Sequence, residues 1–347
     1  PPSHELWSLS RAVSSSETLT NAFEGGMESL RERLEASDEG NAFLSALGDF
    51  ISEHGARGPG EWDARSATWE INPDVTFAAV DAMRHADESL SPDNRHLAAV
   101  QIRENAEREA RDALAGSDEA LSTLEMALRV CKIFIPTRER TKLTEMLAVH
   151  EIRLPMYELG NRMAKSGILQ KPQDVFLLLD SEIDAFIADP EGMKDIITAR
   201  SEDYEELKKL QDPFIIIGDV PPLSEWEQRD SSAEPVAEGE ELTGIPGSPG
   251  TVTGKARVIT DPSDPRGLEP GEILVAPITD PSWTPLFVPA AAVVVEVGAP
   301  LSHAVIVSRE FGVPCVTAVH QAASRISNGT IITVNGDTGS VTVLETP

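Results

Sequence analysis

The sequence predicts a multidomain protein in which a mostly α-helical N-terminal domain precedes a smaller C-terminal domain of mixed β/α structure. Upstream of about residue 220, apolar side chains recur at intervals of three and four, which is typical of amphipathic helices. From Gly244 onward, short apolar stretches alternate with glycine- and proline-rich turns, which is typical of short strands. Because 347 residues can form two cores, we place a helical domain at residues 1–218. This prediction allows the helical domain to be incomplete at its N-terminus. The β/α domain takes residues 244–347.

In the helical part, one apolar stripe is especially regular. Pro155 follows it closely and lacks the amide that a helix interior uses, so we expect that helix to kink or split there. Glycine is sparse upstream of residue 220 except for a cluster at residues 55–60, which predicts a loop. The stripe comprises Leu143, Met146, Leu147, His150, Leu154 and Tyr157.

Residues 219–243 have the composition of a linker. They are rich in proline, serine and acidic side chains, which keep a segment solvated and semi-extended. We therefore expect this acidic segment to act as a hinge between the two domains.

The C-terminal part shows a regular succession of strand and turn signals. Predicted strands lie at residues 252–259, 272–276 and 291–297, and a hairpin joins residues 331–334 to 340–344 across an Asn-Gly turn. One short helix is predicted at residues 302–311. Gly312 can cap its end in the left-handed conformation, and Pro314 blocks its continuation.

The charge balance limits the partners of the protein. Asp and Glu number 58 against 29 for Lys and Arg, a formal net charge of −29. Such a surface repels nucleic acid and anionic membranes, so we expect neither as a partner.

The sequence also predicts where the protein is located. It contains no apolar run of roughly 20 residues and no signal peptide, and its only thiols are Cys131 and Cys315. We therefore expect a reducing, cytoplasmic location. The Pro-Pro-Ser start suggests a processed product or an excised piece of a longer chain.

His303 is the strongest candidate for chemistry. A buried strand is followed by a Gly/Pro turn, and Ser302 then stands at a helix N-cap position with His303 in the first turn. Unpaired amides and the positive end of the helix dipole favour an anion there. The same field lowers the proton affinity of the imidazole and leaves a nitrogen lone pair available for attack.

The blocks around His303 resemble the PEP-utilizing enzyme mobile domain, over about Gly244 to Leu344. They include Gly247-Ser248-Pro249-Gly250, the segment Leu274 to Phe287, and Leu301-Ser302-His303-Ala304 through Val316. The resemblance implies a swivelling domain whose phosphohistidine is His303, with Ser302 and Thr284 as candidates for contacting the phosphate. Thr284 is equally well interpreted as a turn cap. The family usually has Gly-Gly before Ser-His, whereas here the pair is Gly298-Ala299.

The helical part resembles the acceptor-binding region of rifampin phosphotransferases and related dikinases. The resemblance rests on the segments His54 to Asp63 and Glu158 to Leu178, and extends over about residues 40 to 185. These enzymes place a helical acceptor-substrate domain before a C-terminal phosphohistidine domain. The same order here implies that residues 1–218 bind a small acceptor molecule.

Several charged residues of the helical part are candidates for contacting substrate. Arg57 can grip a phosphate in two-pronged fashion, and Glu61 or His54 can act as a base toward an acceptor hydroxyl. A structural Arg57–Glu61 pair that braces the glycine loop is an equally simple interpretation. Arg138 and Arg140, with Lys142, form a basic cluster that either meets phosphate or caps a helix.

No glycine-rich nucleotide-binding segment of the ATP-grasp type is visible in the sequence. The resemblance therefore implies that ATP and Mg²⁺ bind to a separate ATP-grasp domain or subunit, and no metal site is expected in this chain. His303 would relay the β-phosphate of ATP to a hydroxyl of a small organic acceptor, either phenol- or cresol-like or rifamycin-like. The alternatives are a condensing enzyme similar to prodiginine ligases, or a non-catalytic regulatory protein with a degenerate swivel domain.

Overall fold

The structure is a computed structural model, and it describes residues 2–211, 213, 215–228, 233–261 and 267–347. Part of the predicted linker, residues 229–232, lies outside the described residues. The helices are α1 (Pro2–Ser15), α2 (Glu17–Glu24), α3 (Leu30–Glu35), α4 (Asp38–His54), α5 (Asp74–Arg84), α6 (Pro92–Ala113), α7 (Asp118–Lys165), α8 (Ile183–Ala188), α9 (Lys194–Leu207), α10 (Thr284–Phe287), α11 (His303–Phe311) and α12 (Ala322–Arg325). The strands are β1 (Leu210–Gln211), β2 (Glu227–Gln228), β3 (Glu241–Thr243), β4 (Ile245–Ser248), β5 (Thr251–Val258), β6 (Ile273–Ala276), β7 (Ala292–Val295), β8 (Cys315–Thr317), β9 (Ile331–Asn335) and β10 (Ser340–Glu345).

The chain divides into two compact units whose limits differ from the predicted domain boundaries. The first unit comprises Pro1–Glu61, Ala67–Met146 and Pro235–Pro347, and the second comprises Trp62–Ser66 and Leu147–Glu234. Most of the helical part thus packs in one unit with the C-terminal sheet, because both contribute to one apolar core. Packing in one arrangement does not test whether the C-terminal part swings, so the hinge at residues 219–243 stays a prediction.

The predicted split at Pro155 is wrong, since α7 runs from Asp118 to Lys165 and includes this proline, whereas the alternative of a kink there stays a prediction. Proline has a helix-compatible φ, and its cost in a helix interior is mainly one lost amide hydrogen bond and crowding of the preceding turn. The predicted stripe is correct at Met146 and His150, which are buried, but Leu147 is exposed. Arg153 is buried on the same helix, and its guanidinium donates to the carbonyl oxygens of Asp63 and Ala64.

The first unit contains an eight-stranded mixed sheet with the order β3-β10-β9-β5-β6-β7-β8-β4. The predicted strands at residues 252–259, 272–276 and 291–297 correspond to β5, β6 and β7. The predicted hairpin is confirmed as the antiparallel pair β9–β10. Strands β6 and β7 are apolar throughout because both faces of the sheet are covered.

Alternate residues of the central strands serve two cores. Leu274 of β6 faces a core shared with the N-terminal helices, which also contains Trp7, Phe50 and Phe287. The neighbouring residue Val275 faces the opposite core. This alternation follows from the two-residue period of a strand.

The second unit is described by itself. Its apolar core contains Leu169, Val175, Phe186 and Ile197, and β1 pairs with β2 in an antiparallel two-stranded sheet. Within the described ranges of the whole chain, no helix is both long and apolar enough to cross a membrane.

The parallel strands position the residues of interest. Strand β6 runs parallel to β7, and β7 runs parallel to β8, with α10 and α11 as the helices of the two crossovers. Because the carboxyl ends of parallel neighbours meet at one edge of a sheet, the segment after β6 and the segment after β7 lie together. Thr279 is in the first segment and His303 in the second.

Candidate active site

His303 is the first residue of α11, as the sequence predicts. Ser302 occupies the N-cap position with an extended backbone, and Gly312 ends the helix with a φ of 63°. This agreement reflects local signals, namely a polar N-cap residue and a glycine that tolerates the left-handed conformation. The imidazole is half-buried, and Phe287 presents its ring to it edge-on, with 5.8 Å between the ring centroids.

One ring nitrogen of His303 has a defined partner. Nδ1 lies 3.0 Å from Oγ1 of Thr279, whereas Nε2 makes no hydrogen bond to any described residue. In the tautomer that carries its proton on Nδ1, the ring donates to Thr279 and keeps the Nε2 lone pair. In that tautomer, Nε2 is the ring nitrogen that carries the lone pair.

The surroundings keep the imidazole uncharged. Burial lowers the pKa of His303 from 6.5 to about 3, and the positive charges of Lys142 and Arg57 act in the same direction. A neutral ring retains its lone pair at physiological pH, which a nucleophile requires.

Near His303, the side chains of Lys142 and Arg57 form ion pairs with the buried carboxylate of Glu61. Glu61 is 1% exposed. One of its oxygens is 3.0 Å from Nζ of Lys142, and the other is 3.3 Å from Nη1 of Arg57. The structural Arg57–Glu61 pair anticipated from the sequence is thus present. The carboxylate therefore holds both cations in place.

These groups share a cavity of about 260 Å³. The cavity combines cations near His303 with an apolar wall, so it suits a molecule that is partly apolar and is handled at one polar end. Its lining residues are Pro2, Ser3, Arg57, Arg138, Glu139, Lys142, Pro281, Thr284, His303, Ile306, Val307 and Glu310.

The glycine loop at residues 55–60 is tied to the segment that contains Thr279. The amide of Gly60 donates to a carboxylate oxygen of Asp280 at 2.9 Å, and Asp280 also accepts from the amide of Ser282. This contact places Arg57 next to the edge of the sheet that carries His303.

The structure brings some of the predicted site residues to the cavity and leaves others away from it. Arg57, Arg138 and Thr284 line it together with His303. Arg140 does not line it; this exposed side chain donates a hydrogen bond to the hydroxyl of Thr137.

Three further residues singled out in the sequence, His54, Glu61 and Ser302, do not line the cavity. His54 does not line the cavity, and its Nε2 lies 3.0 Å from a carboxylate oxygen of Glu5, so a role as base toward an acceptor is not supported. The carboxylate of Glu61 forms ion pairs with Arg57 and Lys142 and does not line the cavity, so a role as base is not supported for Glu61 either. The hydroxyl of Ser302 is buried, makes no capping bond and has no hydrogen-bond partner among the described residues, so it does not face the cavity.

Sequence reasoning missed Thr279 and gave Lys142 no specific role. Thr279 lies three residues after the end of β6, near the strand end where functional side chains gather, and this position was the available signal. Lys142 lies four residues after Arg138 and therefore on the same face of α7. Only the fold shows that this face meets His303.

Family models match two parts of the chain. Residues 2–139 match the rifampicin phosphotransferase fourth domain, and residues 268–339 match the mobile domain of PEP-utilising enzymes. The second match contains His303 and Thr279. The first begins and ends earlier than the range of about 40 to 185 that the sequence indicated.

Curated relatives extend the likeness along most of the chain. An uncharacterized phosphotransferase, YvkC, of Bacillus subtilis is 28% identical over 98% of this chain and 41% of its own length. A rifampicin phosphotransferase of Streptomyces sviceus is 31% identical over 88% of this chain and 35% of its own length. The prodigiosin synthesizing transferase PigC of Serratia marcescens is 30% identical over 89% of this chain and 35% of its own length.

The chain thus spans between about a third and two fifths of the length of these relatives. Among solved structures, aconitase X of Thermococcus kodakaraensis is similar over 31% of this chain, with 22% identity and a TM-score of 0.25. The resemblances seen in the sequence are confirmed: this chain carries a PEP-utilising enzyme mobile domain after a region of the rifampicin phosphotransferase fourth-domain type, and it is related to rifampicin phosphotransferases over most of its length.

Proposed function

We propose that this chain is the acceptor-binding and phosphohistidine part of an ATP-dependent phosphotransferase. His303 receives the β-phosphate of ATP at a separate ATP-grasp domain or subunit, where ATP and Mg²⁺ bind. It then delivers the phosphoryl group to a hydroxyl of a small organic acceptor. The two steps share one covalent intermediate, which divides a difficult transfer into two easier ones.

One observation carries the proposal. The imidazole of His303 shares a cavity with Arg57 and Lys142, and both cations are held by a buried carboxylate. A phosphoryl group on Nε2 would extend into this cavity toward both cations. Charge-assisted hydrogen bonds from guanidinium and ammonium groups stabilise the negative charge on the phosphoryl oxygens.

The delivery step follows from this placement. The acceptor oxygen forms a bond to phosphorus while the bond from phosphorus to Nε2 breaks, and the electron pair of the broken bond returns to Nε2. Nδ1 keeps its proton throughout, and this N–H stays hydrogen-bonded to the hydroxyl of Thr279. The proton of the acceptor hydroxyl passes to solvent. The ring is then neutral again and ready for another phosphoryl group.

Charging and delivery need different surroundings for His303. In the structure, His303 lines the cavity that we assign to the acceptor. We propose that the acidic segment at residues 219–243 allows the C-terminal domain to carry His303 from this cavity to the ATP-binding part. Hence this chain by itself would not phosphorylate His303 from ATP.

The test is a reconstituted charging reaction with the ATP-binding part and β-labelled ATP. We expect acid-labile label on the wild-type chain and none on His303→Ala, with His320→Ala as a matched control that still takes label. Equal labelling of wild type and His303→Ala would refute the proposal. Absence of label on every variant would favour a non-catalytic regulatory role.

The acceptor belongs to one of two chemical classes, phenol- or cresol-like or rifamycin-like. The second class is suggested by the names of several relatives. Adding members of each class to the charged chain, and following loss of label from His303 and its appearance on the small molecule, distinguishes the two.

The likeness to the prodigiosin synthesizing transferase supports a second candidate, a condensing enzyme. Such an enzyme would use the phosphoryl group only to activate one substrate for coupling to another. Its product carries no phosphate, so mass spectrometry of the product separates it from the phosphotransferase.

A further inference from the structure

The cavity at His303 has two ends with different charge. On α11, His303 and Glu310 both line it, with Ile306 and Val307 between them. Seven residues of helix separate the two polar side chains by roughly 10 Å along the axis. The acceptor would therefore meet a reacting group at one end, an apolar wall in the middle and a carboxyl group at the other end.

The residues of α7 that line the cavity are arranged along it in the same order as those of α11. Lys142 is close enough to His303 to lower its pKa, whereas Glu139 is close enough to Glu310 to raise the pKa of that carboxyl. Residues 142 and 139 thus run along the cavity in the same direction as residues 303 and 310. Lys142 stands at the phosphoryl end, and the far end contains Glu310 together with the Arg138–Glu139 ion pair.

The carboxyl group of Glu310 is not neutralised by an ion pair with any described residue, whereas Glu139 is paired with Arg138. Among the described residues, His96 on α6 acts on the pKa of Glu310 in the opposite direction to Glu139 and less strongly. Glu310 is exposed to solvent, but partial desolvation first and Glu139 second raise the pKa of its carboxyl group. A hydrogen-bond donor or a positive charge on the ligand would relieve this cost.

Resting on the proposed function, we propose that Glu310 determines acceptor specificity by binding a cationic or hydrogen-bond-donating group of the acceptor, at the opposite end of the molecule from the phosphorylated hydroxyl. The acceptor class is then an amphiphilic amino alcohol or aminophenol with an apolar middle that lies against Ile306 and Val307. An acceptor that is apolar at this end would leave the carboxylate of Glu310 desolvated and without a partner from the ligand.

The test compares two probes that differ only in the charged group. Tyramine carries an ammonium group on the carbon chain opposite its phenol hydroxyl, and 4-ethylphenol has the same skeleton without it. The dissociation constants of both for this chain are measured at pH 8 by calorimetry. We expect tyramine to bind about tenfold more tightly, which is the effect of one hydrogen bond to a charged group.

Variants assign the preference to Glu310. Glu310→Gln should bring the two dissociation constants within about twofold of each other, and Glu310→Lys should reverse the preference. Glu345→Gln, which alters an exposed carboxylate at the end of β10, should retain the wild-type ratio. Equal binding of both probes by wild type, or an unchanged ratio in Glu310→Gln, would overturn the proposal.

A parallel charging reaction separates this proposal from the one on which it rests. If His303 takes label in wild type and in Glu310→Gln while the probe ratio does not change, only the role of Glu310 falls. If His303 takes no label at all, the phosphotransfer function falls, and the assignment of Glu310 to acceptor choice falls with it.

Discussion

Thr279 Oγ1 lies 3.0 Å from Nδ1 of His303, although 24 residues separate them in sequence. They meet because each follows a parallel strand of one sheet, β6 and β7. The hydrogen bond orients the ring through Nδ1, and His303 shares its cavity with Lys142 and Arg57. Thr279 is thus a positioning residue that acts through His303.

Replacing Thr279 with valine should slow charging of His303 while leaving the fold intact. The change keeps the side-chain shape but removes the oxygen that accepts from Nδ1, so we expect a rate loss of roughly fivefold, the value of one neutral hydrogen bond. Label should also appear partly on Nδ1, which ³¹P NMR of the denatured chain distinguishes from Nε2. Thr253→Val on the exposed face of β5 is the control, and an equal loss there would contradict the positioning role.

The low pKa of His303 predicts how charging and stability respond to acid. The folded ring has a pKa of about 3, and an ordinary histidine has 6.5. Between these values the unfolded chain binds a proton that the folded chain does not, so stability falls as the pH falls from 6.5. Denaturant titrations of wild type and His303→Gln should show a smaller acid-induced loss in the variant.

The same low pKa can be observed directly. Ring ¹⁵N shifts of His303 should not change between pH 8 and pH 4.5, because its folded pKa of about 3 lies below this range. Lys142→Met should raise the pKa of His303, because it removes one of the two charges that lower it. A midpoint near 6.5 for His303 in the wild-type chain would contradict this interpretation.

Substitution of the buried Glu61 should lower the free energy of unfolding more than substitution of an exposed acidic residue. Glu61→Gln leaves Arg57 and Lys142 without their buried counter-charge, so the free energy of unfolding should fall by roughly 3 kcal/mol. Glu109→Gln, at an exposed position of α6, should change it by less than about 0.5 kcal/mol. Urea denaturation measures both, and similar values for the two variants would show that the Glu61 cluster is not a structural support.

Arg95 predicts a local effect on the helix that carries His303. Its guanidinium donates to the carbonyl oxygen of Phe287 at 3.2 Å and stands over the ring of Phe311. Burial lowers its pKa to about 10, which leaves it charged at neutral pH. Arg95→Met should speed hydrogen exchange of α11 amides, while Arg103→Met at an exposed position of α6 should not. Unchanged exchange in Arg95→Met would show that this contact does not hold α11.

Local patterns predicted the elements that carry His303, and they did so because their causes are local. The N-cap at Ser302 and the left-handed Gly312 each depend on a few neighbouring residues. Helix α7 was less predictable at Pro155, because packing decides whether a helix continues past a proline. The meeting of Lys142 with His303 was not predictable at all, since it depends on how α7 lies against the sheet.

Gly298 explains why the departure from the family pattern at Ala299 is tolerated. A Cβ atom at residue 298 would lie 1.8 Å from Oγ1 of Thr317, so only glycine fits between β7 and α11. Ala299 is exposed, and its φ is not in the left-handed region that favours glycine. The second glycine of the family pattern is therefore replaceable by alanine, whereas the first is not.

The corresponding prediction concerns Gly298→Ala and Ala299→Gly. Gly298→Ala forces Thr317 and the turn before His303 to move, so it should reduce the free energy of unfolding by about 2 kcal/mol and slow charging by misplacing Nε2. Ala299→Gly should change stability by less than about 1 kcal/mol, since it only frees the unfolded chain. Urea denaturation and the charging assay measure both variants. If Gly298→Ala retained wild-type stability and charging, the close approach of Thr317 would not constrain the turn that positions His303.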